Sequence, residues 1–147
     1  ILQTIAIVEG NVSSCVNLPT QKGYAHFLQQ DTNLQLRYEI RDQLRQRRDL
    51  LLQRFRQLID QATWDPPSGA YYFFPDMYAY LGKKTPMGTI IQNDQDLTLY
   101  LLNSANVVTI PGSKFDCPGH LRLAYAVNPS TIEIGIQHLA EALNCLQ

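Results

Sequence analysis

The stretch HLRLAYAV, residues 120–127, is the part of the sequence that decides the fold. It is typical of a β-strand, in which successive side chains point to opposite faces of a sheet. Leu121, Leu123 and Tyr125 would then share one apolar face. The opposite face would carry His120, Arg122, Ala124 and Ala126. The sequence therefore predicts one large cation on a face that small alanines otherwise leave open.

Arg122 is the only arginine that follows Arg56 in the sequence. A planar guanidinium beside small side chains can bind a carboxylate through two parallel hydrogen bonds. The alternative is a structural ion pair with a nearby aspartate or glutamate, since such pairs are common. From the residues of this strand alone, both interpretations of Arg122 stay open.

Three further motifs precede this strand. They are QRRDLLLQRF (46–55), PPSGAYYFFPD (66–76) and NVVTIPGSKFDCPG (106–119). Taken with LRLAYA, their order and approximate spacing resemble the C-terminal domain of the class I/II aminotransferases, the fold-type-I enzymes that use pyridoxal phosphate. The resemblance covers essentially the whole chain.

The resemblance implies an α/β (α+β) fold. We expect a small mixed sheet of about three strands packed with helices, entered through one long interdomain helix. Residues 1–30 would be a remnant of the large, cofactor-binding domain and its connector. Residues 31–147 would be the long bridging helix and the C-terminal small domain.

The resemblance also implies a function. The parent enzyme would transfer an amino group between an amino acid and a 2-oxo acid, with Arg122 binding the substrate α-carboxylate. The family's Schiff-base lysine and most of its cofactor-binding groups lie in the large domain. Lys114 follows Ser113 in a different part of the family pattern, and Lys22, Lys83 and Lys84 lack a context that would lower a lysine pKa. We therefore expect no catalytic residue in this fragment, which alone would be inactive, and its cofactor contacts stay unknown.

Other classes of protein remain open. A pyridoxal-phosphate-dependent lyase of the same family would use Arg122 in the same way. An aminotransferase-like sensor domain of a transcription regulator is a second alternative, and a free-standing amino-acid-binding module is a third. The coding sequence upstream of Ile1 would discriminate between them.

The composition is that of an ordinary globular chain. Of the 147 residues, 45% are apolar and 17% charged, and the net charge is −1, which argues against a nucleic-acid-binding protein.

The chain begins at Ile1 with no targeting segment or membrane-spanning run, so we expect a fragment of a longer, cytoplasmic protein with no membrane partner. Its cysteines are scattered without metal-site spacing, which predicts reduced thiols and no metal: Cys15, Cys117 and Cys145. The resemblance also implies that the full-length protein is a homodimer.

Capping signals predict four helices. Asn17 precedes a helix that would run to about Gln29. Thr32 and Gln35 fit a capping box for a helix of about 30 residues, roughly 45 Å long. Asp94 would cap a third helix, and Ser130 with Glu133 fits a capping box for the last.

Seven arginines lie on the long predicted helix, where a nucleic-acid surface is one interpretation. Five acidic residues between 31 and 60 are interleaved with them, which favours a solvated, ion-paired face instead.

Two apolar runs, 70–74 and 107–110, predict strands, and residues 75–93 predict a long mobile surface loop. The aromatic residues 71–74 favour a core strand over cofactor stacking. His120 would share the face of Arg122, where a proton carrier is one interpretation and a polar residue at a strand entrance the other. His26 and His138 are interpreted as structural.

Overall fold

The computed structural model of the chain describes residues 1–5, 7, 17–30 and 32–147, without the side chains of Thr32 and Asn33. The predicted capping box of Thr32 and Gln35 therefore lies outside the described residues. Two compact units divide the chain, Ile1–Arg41 and Asp42–Gln147.

The first unit contains α1, Leu18–Leu28, which begins as the sequence predicts. The Asn17 Oδ1 atom accepts hydrogen bonds from the Thr20 backbone N at 3.0 Å and the Thr20 Oγ1 at 2.9 Å. Residues 2–5 and 7 are also helical. The long helix α2 spans Thr32–Leu58, and the boundary between the two units falls within it. Residues 17–30 have their side chains exposed.

The second unit builds a three-stranded sheet against helices. Its strands are β1, Tyr72–Phe73, β2, Ile110–Pro111, and β3, Leu121–Ala124. The strand order is β1-β3-β2, and β3 pairs antiparallel with both neighbours. The predicted fold class and strand number are confirmed, while among the described residues the sheet is antiparallel rather than mixed. Each strand is shorter than the apolar run that predicted it.

Two helices complete this unit: α3, Asp94–Ala105, and α4, Pro129–Asn144. Helix α4 buries one apolar stripe along with Leu146 beyond its end: Ile132, Ile136, Leu139 and Leu143. Phe55 of α2 and Phe73 of β1 are fully buried, with ring centroids 4.9 Å apart at nearly right angles. Burying such a ring contributes roughly 1.5–3 kcal/mol, so these contacts fix α2 against the sheet.

Two predicted helix caps are wrong in detail. The N-cap of α3 is Asn93, whose Oδ1 accepts from the Asp96 backbone N at 2.9 Å, and Asp94 is the first helical residue. The N-cap of α4 is Asn128, which makes no side-chain capping hydrogen bond. Proline at the first helical position already fits the start of α4. Glu133 instead pairs with Arg54 of α2 at 2.7 Å, so it ties two helices together.

The segment 75–93 is not a simple surface loop. It contains a 3-10 turn, Tyr78–Tyr80, and buries Met77, Tyr80 and Ile91 in the core. Two backbone hydrogen bonds join Lys84 and Gln147, with N···O distances of 2.7 and 3.0 Å. These contacts attach the segment to the body of the unit.

The arginines of α2 have several described partners. Arg48 pairs with Asp49 at 2.7 Å and donates to the Pro67 carbonyl at 3.2 Å. The Arg56 guanidinium lies 5.2 Å from the centre of the Trp64 ring. Within the described ranges, no helix is long and apolar enough to cross a membrane, and no group of three or more His, Cys, Asp and Glu residues could bind a metal ion.

Candidate functional site

The two faces of β3 differ as its sequence predicts. Leu121, Leu123 and Tyr125 are buried, whereas Arg122 is half-buried and Ala124 is exposed. Cross-strand partners in an antiparallel sheet share a face. The register pairs Tyr72 with Ala124, which brings Tyr72 to the open face beside Arg122. On the other side, Ile110 of β2 is the cross-strand partner of Arg122, so strand residues flank the cation on both sides.

The Arg122 guanidinium packs on two aromatic rings. Its Cζ lies 4.3 Å from the centroid of Tyr72 and 4.6 Å from the centroid of Phe115. A ring face attracts a cation but satisfies none of its N–H donors. In the described part of the chain, no carboxylate forms an ion pair with Arg122. The interpretation as an internal ion pair therefore finds no support among the described residues, and the N–H fork can bind an external carboxylate.

A tyrosine pair adjoins the cation. The rings of Tyr71 and Tyr72 lie 4.4 Å apart, centroid to centroid. Hydrogen bonding to Tyr72 is the main cause that raises the pKa of the Tyr71 hydroxyl above 10.0, and the Arg122 charge acts in the opposite direction. The one O–H donor of Tyr71 is thus engaged with Tyr72, and Arg122 supplies the N–H donors on this face.

A tight loop between β2 and β3 carries Phe115 to this face. It opens with the 3-10 turn Gly112–Phe115, and the Gly112 N–H donates to the His120 carbonyl at 2.8 Å. The Cys117 N–H donates to the Gly112 carbonyl at 3.1 Å. A Cβ atom on Gly112 would lie 2.2 Å from the Cys117 carbonyl oxygen. Only glycine fits at this close approach of two backbone segments.

His120 lies next to these residues, as predicted from β3. Its ring stacks on Phe74 with a centroid separation of 5.1 Å, and Phe74 contacts Phe115 at 6.1 Å. Its Nδ1 is 3.4 Å from the Cys117 Sγ. His120, Phe74 and Tyr72 line a cleft of about 580 Å³. The proton-carrier interpretation of His120 stays a prediction that no contact here tests.

The described contacts of the other two histidines do not involve β3. His26 is 3.0 Å from Gln30 within the first unit, measured between the Nε2 atoms. The His138 Nδ1 is 3.3 Å from the Ala105 carbonyl oxygen, a contact between α4 and the end of α3. These contacts agree with structural roles.

Comparison with known proteins identifies the family. The family described as Aminotransferase class I and II matches residues 4–139. The chain therefore belongs to the class I and II aminotransferases, as its motifs predict.

Individual relatives are also named as aminotransferases. An aspartate aminotransferase of Rhizobium meliloti (strain 1021) is 29% identical over 99% of this chain and 35% of its own length. A probable aspartate/prephenate aminotransferase of Aquifex aeolicus is 30% identical over 96% of this chain and 34% of its own. The crystal structure of an aspartate aminotransferase from Rhizobium meliloti superposes with a TM-score of 0.82 at 28% identity, covering 99% of this chain and 36% of that one. The chain thus spans about a third of the length of these relatives.

Pyridoxal phosphate is the cofactor that the family resemblance implies, and none of the four lysines, all of them among the described residues, has the surroundings of a Schiff-base lysine. A lysine that forms a Schiff base is usually desolvated or placed beside another cation. Lys22, Lys84 and Lys114 are exposed. The Lys83 Nζ donates to the Gln61 Oε1 at 2.7 Å and lies 5.0 Å from the Tyr80 ring centre. No lysine lines the cleft beside Tyr72.

Pyridoxal phosphate mixed with the 147-residue chain is expected to give no stoichiometric adduct on any single lysine. The reason is that the four lysines have solvent or a local acceptor around them rather than a desolvated pocket. Borohydride reduction followed by peptide mass mapping measures the adduct. The full-length protein serves as the positive control. One lysine among residues 1–147 trapped to completion would contradict the expectation.

Part of this site differs from what the sequence predicts. The aromatic run 71–74 favours a core strand, but of its four residues only Phe73 is buried, and Tyr71 is 42% exposed. The period of two in a strand could have shown that only alternate residues face the core. Phe115 carried no such signal, because its contact with Arg122 depends on the path of the loop between β2 and β3.

Proposed function

We propose that this chain is the C-terminal, substrate-carboxylate-binding part of a pyridoxal-phosphate-dependent aminotransferase. Arg122 binds the α-carboxylate of the amino acid and of the 2-oxo acid. Residues 31–147 are the bridging helix and small domain of the enzyme, and residues 1–30 belong to its large domain and connector. The supporting observation is a half-buried guanidinium on two aromatic rings with no ion-pair partner among the described residues, in a chain of this family.

The role of Arg122 in this proposal is positioning. Two parallel hydrogen bonds from the guanidinium fix the carboxylate in one plane. The rings of Tyr72 and Phe115 limit the rotamers of Arg122, so less entropy is lost when the carboxylate binds. Binding in one orientation is itself a source of rate enhancement.

Pyridoxal phosphate, when bound, would supply the electron sink for bond changes at the substrate α-carbon. Its site would come from the two thirds of the family length that this chain does not span. The chain alone is then inactive. We further propose a cytoplasmic homodimer, which light scattering of the full-length protein can test.

The direct experiment is an amino-transfer assay of the full-length protein with pyridoxal phosphate. Aspartate is the first amino donor to test, because the relatives are named aspartate and aspartate/prephenate aminotransferases. With a 2-oxo acid such as 2-oxoglutarate, both the new amino acid and the new 2-oxo acid should appear in equal amounts. A lyase would instead consume the amino acid without any 2-oxo acid acceptor. Absence of transfer with a broad set of amino acids would refute the proposed activity.

A regulator would bind nucleic acid, and the arginine-rich face of α2 is the place to test in this chain. We expect no binding tighter than the weak non-specific range at physiological salt, because Arg48 and Arg54 already have acidic partners. Titration of a labelled duplex and a labelled single strand at two salt concentrations measures the affinity for nucleic acid. Sub-micromolar binding with a steep salt dependence, abolished by replacing Arg45, Arg47 and Arg48 together, would favour the regulator.

A further inference from the structure

Asp94 is a carboxylate in an unusual position. It is only 2% exposed, and Asp94 and Thr109 are the buried polar residues in the described part of the chain. Burying a charged group is costly unless hydrogen bonds compensate for the lost hydration. We therefore expect the buried Asp94 carboxylate to accept a hydrogen bond that an exposed residue at the start of α3 could not accept.

The contact of Asp94 reaches outside its own helix. The Ser113 backbone N–H donates to the Asp94 Oδ2 at 2.6 Å, across 19 positions of sequence. Ser113 lies in the 3-10 turn Gly112–Phe115, two residues before the ring that packs on Arg122. A hydrogen bond to a carboxylate is short and about twice as strong as one between neutral groups. One side chain of α3 thus anchors the turn that carries Phe115.

Capping of α3 does not explain this placement. Asn93 caps the helix through its contact with the Asp96 N–H, and the Asp96 Oδ2 accepts from the Gln92 N–H at 3.0 Å. Asn93 and Asp96 thus supply the side-chain hydrogen bonds at the start of α3, and Asp94 is not needed for them. The Asp94 side chain points to the loop between β2 and β3 instead, as its hydrogen bond to Ser113 requires.

We propose that Asp94 is a positioning residue for the carboxylate site of Arg122. Its carboxylate fixes the backbone of Ser113, the turn then keeps Phe115 on the guanidinium, and the guanidinium keeps the orientation that a carboxylate needs. Asp94 does not touch substrate in this scheme. The inference rests on the proposed function of Arg122.

The scheme has a kinetic consequence that differs from that of a purely structural role. Without the Asp94 acceptor, the Ser113 N–H loses its partner and the turn relaxes. Arg122 then samples more rotamers, and binding of the amino acid and of the 2-oxo acid weakens alike. Weaker binding of ground state and transition state together raises KM with little change in kcat.

The test compares two neighbouring carboxylates in the full-length protein. Asp94→Ala is expected to raise KM for both substrates about tenfold with kcat changed less than about threefold. Asp94→Asn keeps an acceptor oxygen without the charge and should raise KM about threefold. Asp96→Ala and Asp96→Asn remove another first-turn carboxylate, which accepts from the Gln92 N–H rather than from Ser113, and they should leave KM unchanged.

The outcomes separate this inference from the function on which it rests. If Arg122→Ala lowers kcat/KM but the Asp94 variants match the Asp96 variants, the positioning role is refuted and the proposed function survives. If Arg122→Ala leaves kcat/KM unchanged, the proposed function fails first. If Asp94→Ala does not fold, Asp94→Asn against Asp96→Asn decides: a raised KM supports the role of Asp94, and equal KM values refute it.

Discussion

Replacing Arg122 by alanine in the full-length protein is expected to lower kcat/KM for amino-acid substrates by about a thousandfold or more. That loss corresponds to about 4 kcal/mol in the activation barrier. The reason is that a charge-assisted pair of hydrogen bonds disappears from a half-buried site, where water replaces it poorly. Steady-state kinetics with the best amino donor measures the change.

Two variants make this result specific. Arg122→Lys should recover only part of the activity, because an ammonium group is a point charge without a planar fork. Arg56 is a matched control, since its guanidinium also packs on an aromatic ring, that of Trp64. Arg56→Ala should leave kcat/KM within about twofold, as surface charges contribute little. Near-normal turnover by the Arg122→Ala protein would show that Arg122 does not bind the substrate carboxylate.

The second large effect is expected from Gly112→Ala. The added Cβ would lie 2.2 Å from the Cys117 carbonyl oxygen and 2.7 Å from the His120 Cβ, and the first of these is backbone that cannot rotate away. Overpacking of this kind usually costs about 1–3 kcal/mol, and we expect the upper end or more. The midpoint of thermal unfolding and the soluble yield of the full-length protein should both fall.

Gly135 is the control for this substitution. It lies within α4, and a Cβ there would meet no atom within 4 Å. Gly135→Ala should be neutral or stabilise by about 0.5–1 kcal/mol, because alanine favours a helix interior more than glycine does. If both alanine variants unfolded at the temperature of the unchanged protein, the close crossing at Gly112 would be refuted.

The features predicted well from sequence are those that depend on local patterns. The alternation along β3 separates buried Leu121 and Leu123 from Arg122, and the pattern alone predicts this. The start of α1 at Asn17 is equally local, since a side-chain oxygen three residues before a free N–H is enough to cap it. Family motifs then predicted the fold class.

The features that escaped prediction depend on contacts between distant residues. Asp94 looked like a helix cap, but its neighbour Asn93 caps α3 while Asp94 reaches Ser113. Glu133 fits a capping box by spacing, yet Arg54 on another helix attracts it instead. Local spacing cannot distinguish these cases, because the competing partner lies far away in sequence and only the folded chain brings it near.

The central position of β3 has a consequence for how the chain acquires its structure during synthesis. Among the described strands, β1 and β2 each pair with β3 alone, and β3 is synthesised after both of them. Ile110 of β2 pairs with Arg122, about ten residues later, whereas Tyr72 of β1 pairs with Ala124, roughly fifty residues later, so β1 joins the sheet only after a much longer loop has closed. Until β3 has been made, β1 has none of its partners in this sheet. Because Arg122 belongs to β3, this cation reaches its place on the sheet only when β3 pairs with its neighbours.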